Sequence, residues 1–528
     1  MWFATRHDST VATICRLVMF VLLLSMTNVS VRADELSDGI EKIINRPEFR
    51  QAHWGLKVVD AEDGEALYRY NAGSLFAPAS VTKLFSVAAA YEAFGADYRF
   101  KTPIYTRGKL DAQGVLHGDL ILVASGDLTM GGRTDKQGHL IFRNVDHTYA
   151  SPTSYAELVD IDPLAGLKDL ARQVRASGVK EVTGEVLIDD RLFDRAEGTG
   201  SGPSHVTPII VNDNVIDFQI TPAKEPGQRA NVEWRPHSTT TVVDSQIETV
   251  KEGEKPKFYI YTSATGGITL RGSLPVNSPP RVLAHEVDNP ARVARGYLVD
   301  CLRAADVRTH TSPLRPLNEV TLPKHDEYGS LRRVAQLVSP PFHESAKVIL
   351  KVSHNLHAST LPLLLAAQQG KRTLNDGMAI EGKLLNKLGV DTSTISFGGG
   401  AGGDRADFVT PRAAVQLLQG VQQRPYFDTY LAALPVMGMD GTLALTVKKN
   451  SPARGKVQAK TGTLSVYNRL NQSTLLTSKA LAGFADCRSG RRVIVAIFVN
   501  LVHLDESRDT AAVGRAIGEV CEVIVRHL

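Results

Sequence analysis

Three short motifs in this 528-residue chain place side chains at spacings that could support nucleophilic catalysis by serine. The first is Ser80-Val-Thr-Lys83, in the segment APASVTKLFSVAAAYEAFG. Pro78 suits a first helical turn and Gly95 a left-handed stop, so a helix is predicted to begin near Ser80. Because residues three apart share a helix face, the Ser80 hydroxyl and the Lys83 amine are expected to share a hydrogen bond. A lysine with a lowered pKa could then activate the serine.

The same motif also has an ordinary interpretation, because serine commonly caps helix starts and lysine is commonly solvated there. The chain contains an internal comparison, Ser177-Gly-Val-Lys180, which has the same spacing within RASGVKEVTGEVLIDD. That stretch is predicted to be a turn between a helix and a strand, with no other reactive residues gathered around it. The Ser-x-x-Lys spacing alone therefore does not distinguish capping from catalysis.

Two further motifs favour catalysis. Ser353-His354-Asn355 lies in VILKVSHNLHAST and is predicted to stand between a short apolar, strand-like run and a helix. Lys460-Thr461-Gly462-Thr463 lies in GKVQAKTGTLSV, on a predicted strand. Each is weak alone, since its members could be caps, turn residues or solvated side chains. The order Ser-x-x-Lys, Ser-x-Asn, Lys-Thr-Gly is, however, that of serine β-lactamases and penicillin-binding proteins.

With these motifs the chain resembles the low-molecular-mass penicillin-binding proteins of the S13 peptidase family, which are D-alanyl-D-alanine carboxypeptidases and endopeptidases. The resemblance runs from about Trp54 through Val499 and includes GDLILVASGDLTM, SHNLHA, MGMDGTLA and AKTGTL. That family carries a large insertion between its first two motifs, which fits the separation of Ser80 and Ser353. The resemblance implies an α+β fold of the β-lactamase/transpeptidase type, in which helices cover an antiparallel sheet, with large β-rich inserted domains.

The resemblance also implies catalytic roles in hydrolysing D-Ala-D-Ala bonds through an acyl-enzyme. Ser80 would attack the carbonyl of the penultimate D-alanine, and Lys83 would accept its proton. Ser353 would relay a proton to the departing amine. Asn355 would hold Lys83 and the substrate backbone. Peptidoglycan stem peptides are the implied substrates, and β-lactam antibiotics are the implied covalent inhibitors; no metal or other cofactor is expected.

The third motif is expected to bind the substrate. Lys460 and Thr461 would offer a charge and a hydroxyl to the terminal carboxylate, and Gly462 would leave room beside the strand. The backbone N–H groups of Ser80 and Thr463 would form the oxyanion hole. Carboxypeptidase and endopeptidase activity both remain open, as does the preferred stem peptide.

One segment departs from the family. Where relatives usually have a sequence of the type Asp-Gly-Ser-Gly-Leu-Ser-Arg, this chain has FGGGAGGDRADFVTP, which keeps Arg405 but loses the serines. Glycine has few steric restrictions on its backbone, so the glycine-rich loop 397–404 is expected to be more mobile. We expect this loop to affect substrate preference.

Two other functions stay open. A serine β-lactamase would need a glutamate to direct water onto the acyl-enzyme; Glu381, in EGKLLN, comes near the usual pattern with one residue too many and is predicted to be exposed. A non-catalytic wall-binding or scaffolding protein could use the same fold. A metallopeptidase is disfavoured because His354 and His357 have no acidic partner in pattern, and they are predicted to be surface or supporting groups.

Composition and the N-terminus indicate where such a protein acts. The net charge of +4 comes from dispersed residues without a Lys/Arg block, so no nucleic-acid partner is expected. Residues 1–33 read as a secretory signal with a short apolar run and cleavage near Ala33. The protein is therefore expected to be exported, periplasmic or extracytoplasmic, with no membrane span after cleavage. The remaining cysteines, Cys301, Cys487 and Cys521, do not suggest a disulfide framework or a zinc site; the oligomeric state stays open.

The order of predicted elements suggests a catalytic domain built from both chain ends. Residues 34–104 together with 315–528 are assigned to the penicillin-binding catalytic domain, and 105–314 to β-rich insertion. Hairpins are predicted around Asp63-Gly64 and Ser489-Gly490, and a helix over Asp509–His527. Helical periodicity is predicted to return over 329–423, including SLRRVAQLV, LHASTLPLLLAAQQ and GMAIEGKLLNKLG.

Overall fold

The computed structural model describes residues 35–150, 155–263, 267–314, 320–504 and 509–528. The predicted signal segment, 1–33, lies outside this range. Within the described residues, no helix has both the length and the apolar character needed to cross a membrane. The α-helices of this range are α1 (35–44), α2 (Thr82–Phe94), α3 (Ala165–Ala176), α4 (Pro290–Ala304), α5 (Phe342–Lys351), α6 (Asn355–Gln368), α7 (Leu374–Lys387), α8 (Pro411–Gln422), α9 (Phe427–Ala433) and α10 (Thr510–His527).

The strands belong to several separate sheets. In chain order they are β1 (His53–Asp60), β2 (Ala66–Tyr70), β3 (Lys101–Leu110), β4 (Val115–Val123), β5 (Glu181–Val182), β6 (Val186–Asp189), β7 (Ala196–Glu197), β8 (His205–Val206), β9 (Val215–Thr221), β10 (Asn231–Arg235), β11 (Val243–Val250), β12 (Lys257–Thr262), β13 (Ile268–Pro275), β14 (Arg281–Glu286), β15 (Arg308–Thr309), β16 (Arg332–Val338), β17 (Ile395–Ser396), β18 (Phe408–Val409), β19 (Val457–Asn468), β20 (Ser473–Asp486), β21 (Arg492–Asn500) and β22 (Val502–Leu504).

The two ends of the chain form one antiparallel sheet in the order β19-β20-β21-β1-β2, with β22 beside β20. Strand β1 pairs along its whole length with β21, from His53 opposite Asn500 to Asp60 opposite Val493. Both predicted hairpins and the C-terminal helix are confirmed. The α+β fold class is confirmed as well, since helices cover both faces of this sheet.

Strand β21 shows how the sheet forms two cores. Its side chains alternate between the faces, as the twofold period of a strand requires. Ile494, Ala496 and Phe498 pack with the core that includes α2, α5, α6 and α8. Val495 and Ile497 face the opposite core, which includes α1 and α10. On the first side, the turn Ala79–Val81 that leads into α2 lies against β19 and β20, and β19 carries Lys460.

The inserted region begins with a second sheet, ordered β15-β5-β4-β3-β16, with β6 beside β4. The helix predicted for SLRRVAQLV is wrong, because Arg332–Val338 forms strand β16 and pairs antiparallel with β3. The apolar spacing of this segment suits a helix, but the β3 backbone offers it a ladder of hydrogen bonds, with one irregularity between Arg333 and Ala335. Long-range pairing of this kind overrides local propensity. Strands β3 and β16 thus bring the start and end of the insertion together.

Two small three-stranded sheets form the outer part of the insertion, β10-β9-β14 and β11-β13-β12. They share a small core that includes Phe218, Ile220 and Leu270. The β-rich character expected of this region agrees with these sheets. The domain boundaries at 104/105 and 314/315 stay a prediction, and the first of them falls within strand β3.

Candidate active site

The segment before α2 presents Ser80 on a tight turn. A 3₁₀ turn over Ala79–Val81 leads into the helix at Thr82, and Gly95 ends it with φ of 82°. Ala79 has φ of 46°, a left-handed conformation that is uncommon for a residue with a side chain. Such strain persists only where the surrounding structure imposes it. The helix predicted near Ser80 is confirmed, with the serine two residues before Thr82, the first residue of α2.

Lys83 is completely buried, and three oxygen atoms surround its amine. Its Nζ lies 2.8 Å from Ser80 Oγ, 2.7 Å from Asn355 Oδ1 and 2.6 Å from the carbonyl oxygen of Ala401. Burial lowers the pKa of Lys83 to about 7, although the nearby Asp407 opposes that shift. Near neutral pH a large share of Lys83 is therefore the free amine that a general base must be.

Ser353 and Asn355 stand between two helices, α5 and α6. The strand-like run predicted before them is wrong, because VILK forms the last turn of α5 and is buried on several sides. Ser353 adopts φ of 58°, and the helix α6 starts at Asn355. This abrupt change of direction turns the Ser353 hydroxyl towards β19 and the Asn355 amide towards Lys83.

Strand β19 brings the third motif to the same place. Lys460 is fully buried, and its Nζ donates to Ser353 Oγ at 2.9 Å and to its neighbour's carbonyl, Thr461 O, at 2.8 Å. Burial, followed by the charge of Lys83, holds the pKa of Lys460 well below its usual value. Thr461 Oγ1 donates to Thr442 Oγ1 at 2.7 Å. Lys460 thus contacts Ser353 from the buried side of the site, while the hydroxyls of Thr461 and Thr442 face the open cleft.

Gly462 permits β19 to pass close to Ser80. A Cβ atom at this position would overlap the carbonyl oxygen of Pro78 and come within 3.2 Å of the Ser80 nitrogen. Any side chain here would push the strand away from Ser80. Thr463 follows at the edge of the cleft, where its Oγ1 accepts a hydrogen bond from Lys479 Nζ at 2.9 Å.

These groups surround a cleft of about 810 Å³. Ser80, Ser353, Asn355, Thr461 and Thr463 line it, together with Asn144 and Tyr149 from the inserted region. The structure therefore brings all the predicted motif residues together, with Lys83, Lys460 and Gly462 beneath the surface of the cleft. A cleft of this size is ample for a short peptide, which would lie along β19.

Some functional groups were not identified from the sequence. Thr442 lies within the segment MGMDGTLA that supported the resemblance, but nothing in its spacing indicates contact with Thr461. Lys479 lies opposite Thr463 on the neighbouring strand β20 and lines the cleft. Burial lowers the pKa of Lys479 to about 8, against the effect of Asp509. Only the register of the β19–β20 pair reveals this lysine.

Glu381 is not exposed, which corrects the sequence prediction. It is 1% exposed and its Oε1 accepts a hydrogen bond from Ser86, one turn beyond Lys83 on α2. Neighbouring elements cover helix α7 on that side. The amphipathic pattern of the sequence assigns Glu381 to the exposed face of the helix, and that assignment is wrong. Burial, with a smaller contribution from Asp407, raises the pKa of Glu381 to about 8.

The glycine-rich loop is packed against its neighbours, while its greater mobility stays a prediction. Residues 399–402 are buried. A Cβ at Gly400 would strike the carbonyl oxygen of Ala358, and one at Gly402 would strike that of Ala79. The glycines here allow the loop to press against both the nucleophile turn and α6, and the Ala401 carbonyl reaches Lys83.

His354 and His357 are buried, not on the surface. Their rings stack with centroids 3.6 Å apart, and His357 Nε2 lies 2.7 Å from Asp213 Oδ1. The acidic partner, which was not found near these histidines in the sequence, comes from the insertion 144 residues away.

Comparison with known proteins agrees with this arrangement. Residues 36–517 match the D-Ala-D-Ala carboxypeptidase 3 (S13) family. A D-alanyl-D-alanine carboxypeptidase of Actinomadura sp. strain R39 is 29% identical over 462 residues, covering 83% of this chain and 78% of that protein. DacB of Haemophilus influenzae is 23% identical over 448 residues, covering 82% of each.

A solved structure shows the same fold. The crystal structure of penicillin binding protein 4 (dacB) from Haemophilus influenzae superposes with a TM-score of 0.68 at 19% identity, covering 93% of this chain and 98% of that one. Sequence and fold agree over nearly the whole length, including both ends that build the catalytic sheet and the insertion between them. The chain therefore belongs to the D-Ala-D-Ala carboxypeptidase 3 (S13) family.

Proposed function

We propose that the protein is a serine DD-peptidase that hydrolyses D-Ala-D-Ala bonds, as a carboxypeptidase, and/or D-Ala–diaminopimelate cross-links of peptidoglycan, as an endopeptidase. The observation that carries this proposal is the continuous contact of Ser80 with Lys83 and of Lys83 with Asn355 beside one cleft. Lys83, whose pKa burial lowers, lies within hydrogen-bond distance of both Ser80 and Asn355, and this supports the roles of base, nucleophile and orienting amide that we assign to the three residues.

Acylation begins at Ser80. As Oγ attacks the carbonyl carbon of the penultimate D-alanine, its proton passes to the free amine of Lys83, 2.8 Å away. The negative charge that develops on the carbonyl oxygen is held by the backbone N–H groups of Ser80 and Thr463. A single donor of this kind typically contributes about 3–4 kcal/mol to transition-state stabilisation.

The leaving amine needs a proton, which Ser353 is placed to deliver. Its hydroxyl accepts a hydrogen bond from Lys460 Nζ at 2.9 Å. The proton that Ser353 gives up is replaced by the one that Lys83 took from Ser80, and Lys83 is again a free amine. Water then attacks the acyl-enzyme and gives a proton to Lys83, which passes that proton to Ser80 Oγ as the acyl bond breaks. No step needs a metal or another cofactor.

Substrate recognition follows from the groups that face the cleft. The hydroxyls of Thr461 and Thr442 are placed to bind a terminal carboxylate, and an incoming carboxylate favours the charged form of Lys460 behind them. Stem peptides carry such a carboxylate, and β-lactam antibiotics carry an equivalent one beside an acylating carbonyl. We therefore assign both as partners of this site. An exported protein would meet them, in keeping with the signal predicted at 1–33.

The test is intact-mass spectrometry of the protein incubated with benzylpenicillin, with penicillin consumption followed in parallel. We expect one stable penicilloyl adduct on the wild type and none on the variant Ser80→Ala. Ser177→Ala is the matched control, because Ser177 has the same Ser-x-x-Lys spacing and only donates to Val174 O at a helix end. It should acylate like the wild type.

Other outcomes favour the remaining functions. Rapid consumption of penicillin without an adduct would support a serine β-lactamase. Neither adduct nor consumption would support a wall-binding protein that does not catalyse. If acylation is confirmed, release of D-alanine from a pentapeptide and cleavage of a cross-linked dimer, measured side by side, determine which peptidase activity dominates.

A further inference from the structure

A strained turn of the inserted region lies behind the Ser-x-Asn motif. Asn212, Asp213 and Asn214 have φ of 49°, 51° and 55°, so three successive residues with side chains are left-handed. Residues with a side chain rarely adopt this conformation, although Asn and Asp do so more often than others. The asparagines stabilise the turn itself, since Asn212 Nδ2 donates to Val215 O and Asn214 Nδ2 to Ile209 O. Asp213 takes no part in these bonds and points elsewhere.

Asp213 is 9% exposed, and its carboxylate contacts basic groups from two parts of the chain. From the insertion, Arg133 Nη2 lies 2.8 Å and His147 Nε2 2.6 Å from Oδ2. From α6, His357 Nε2 lies 2.7 Å from Oδ1. Burial alone would raise the pKa of Asp213, but Arg133 and the histidines outweigh it and hold that pKa well below its usual value. Asp213 is therefore a buried anion that joins the insertion to the helix behind the active site.

The same carboxylate meets the middle residue of the motif. His354 Nε2 lies 3.1 Å from Asp213 Oδ2, although it is not aligned as a hydrogen bond. His354 Nδ1 accepts from the His357 backbone at 3.3 Å, so its side chain caps α6. Because Nδ1 is an acceptor, the proton of the neutral ring belongs on Nε2, facing the carboxylate. His354, whose ring stacks on His357 and lies beside Asp213, is the residue between Ser353 and Asn355 in the chain.

A divalent cation fits these atoms poorly. The ligand atoms of His147, Asp213 and His354 do lie within 4.8 Å of one another. However, Arg133 Nη2 approaches both Asp213 Oδ2 and, at 3.0 Å, His147 Nε2. Arginine keeps its charge in proteins, so it would repel a cation from the position that those atoms define.

We propose that Asp213 is a positioning residue for the Ser353-His354-Asn355 segment, which it fixes by holding His354 and His357 at the start of α6. In that position the Ser353 hydroxyl meets Lys460 and the Asn355 amide meets Lys83. The insertion then takes part in building the active site. This proposal rests on the functions proposed above for Ser353 and Asn355.

The test compares Asp213→Asn with Asp189→Asn in the full-length protein. Asp189 is a matched control, a buried aspartate of the insertion that pairs with Arg191 and Tyr328. The measured quantities are the rate of acylation by benzylpenicillin per folded molecule, kcat and KM for a D-Ala-D-Ala peptide, and the melting temperature. We expect Asp213→Asn to slow acylation about ten- to a hundredfold, through kcat with little change in KM, because misplaced catalytic groups cost rates of this size. Asp189→Asn should acylate at the wild-type rate.

A double-substitution comparison separates positioning from general stability. If Asp213 acts through His357, the pair Asp213→Asn with His357→Gln should be no slower than the slower single variant, since neighbours in one network are not additive. Rates equal to those of the wild type, a loss seen equally in Asp189→Asn, or fully additive losses would overturn the proposal. Should Asp213→Asn not fold, His357→Gln alone provides the same comparison. Failure of the wild type to acylate would contradict the proposed function instead.

Discussion

The three hydrogen-bond partners of Lys83 restrict its protonation state. The Asn355 Oδ1 and Ala401 carbonyl oxygens can only accept hydrogen bonds, and Ser80 Oγ can accept or donate. A neutral amine has two N–H groups and one lone pair, so it satisfies the two carbonyl oxygens and receives the serine proton. An ammonium would donate to all three and block that transfer.

The rate of acylation should therefore be proportional to the fraction of Lys83 that is present as the free amine. Its lowered pKa, about 7, means that the free amine is lost as pH falls below that value, and we expect the acylation rate to be half-maximal near pH 7 and to decline towards acid. Lys83→Arg, which keeps a charge at every pH, should slow acylation about a hundred- to ten-thousandfold, the range typical for loss of a general base. Benzylpenicillin acylation measured by intact mass across pH 5–9 checks both expectations. Lys387→Arg, at an exposed lysine, serves as control; a flat wild-type profile would contradict them.

Glu381 should make stability depend on pH. Its raised pKa, about 8 in the folded protein against an ordinary 4.5, means that between these values the unfolded chain ionises while the folded one retains its proton. Wild-type stability is therefore lost as pH rises through this window, by roughly 1.4 kcal/mol for each pH unit. Glu381→Gln, which cannot ionise, should gain in free energy of unfolding relative to wild type between pH 5 and 8, measured by urea denaturation.

The control for this experiment is an exposed glutamate. Glu62→Gln changes the same chemical group at the protein surface and should show no such trend with pH. A difference between Glu381→Gln and wild type that stays constant from pH 5 to 8 would mean that Glu381 is already ionised in the folded protein. The neighbouring Asp407, whose pKa burial raises to about 6, belongs to the same buried group and remains unchanged in both variants.

At the scale of elements, strand β19 and the turn that precedes helix α2 must lie almost in contact. Gly462→Ala places a Cβ against the Pro78 carbonyl and near the Ser80 nitrogen. We expect acylation by benzylpenicillin to fall about a hundredfold, because a shift of about 1 Å at the nucleophile has an effect of that size. Gly382 lies on α7 at a position where an added Cβ atom would meet no neighbouring group within 4 Å. Gly382→Ala should therefore leave acylation unchanged and stabilise the helix by about 0.5–1 kcal/mol. Equal acylation of both variants would show that the close approach has no catalytic importance.

Elements with strong local signals could be predicted from the sequence. The turn glycines Gly64 and Gly490, both with positive φ, punctuate the hairpins of the catalytic sheet, and Gly95 ends α2. The segment SLRRVAQLV could not be assigned correctly, because its strand is created by pairing with β3, far away in the chain. Local periodicity contains no information about such a partner.

The residues of the candidate site likewise fall into those that could be predicted from the sequence and those that could not. Its motif residues were predicted because their order is characteristic, and the structure brings them together. Asp213 was missed and Glu381 was predicted to be exposed, because the burial of both depends on parts of the chain far away in the sequence. Asp213 meets a histidine 144 residues away, and Glu381 meets Ser86 across 295 residues. Buried ionisable groups of this kind meet their partners only in the folded molecule.

At the scale of the whole molecule, the separate cores suggest stepwise unfolding. The outer sheets of the insertion share only a small core, whereas the catalytic sheet is buried on both faces. Regions with fewer buried apolar contacts open first. Val287, which follows β14, donates to Asn214 O at 3.0 Å, so opening of β9 and β14 would release the strained turn that carries Asp213. Local opening of the outer insertion should thus disable a site that lies in another core.

Hydrogen exchange at increasing urea concentrations, followed by mass spectrometry, tests this expectation when acylation by benzylpenicillin is measured on the same samples. Peptides from 215–286 should exchange at lower urea than those from 457–500, and the acylation rate should fall with the first group. Acylation that persists until 457–500 opens would mean that the catalytic sheet maintains the site without the insertion. Simultaneous exchange of both regions would mean that the cores unfold as one unit. The buried ionic contacts of Asp213 would then link the two cores too strongly for either of them to open alone.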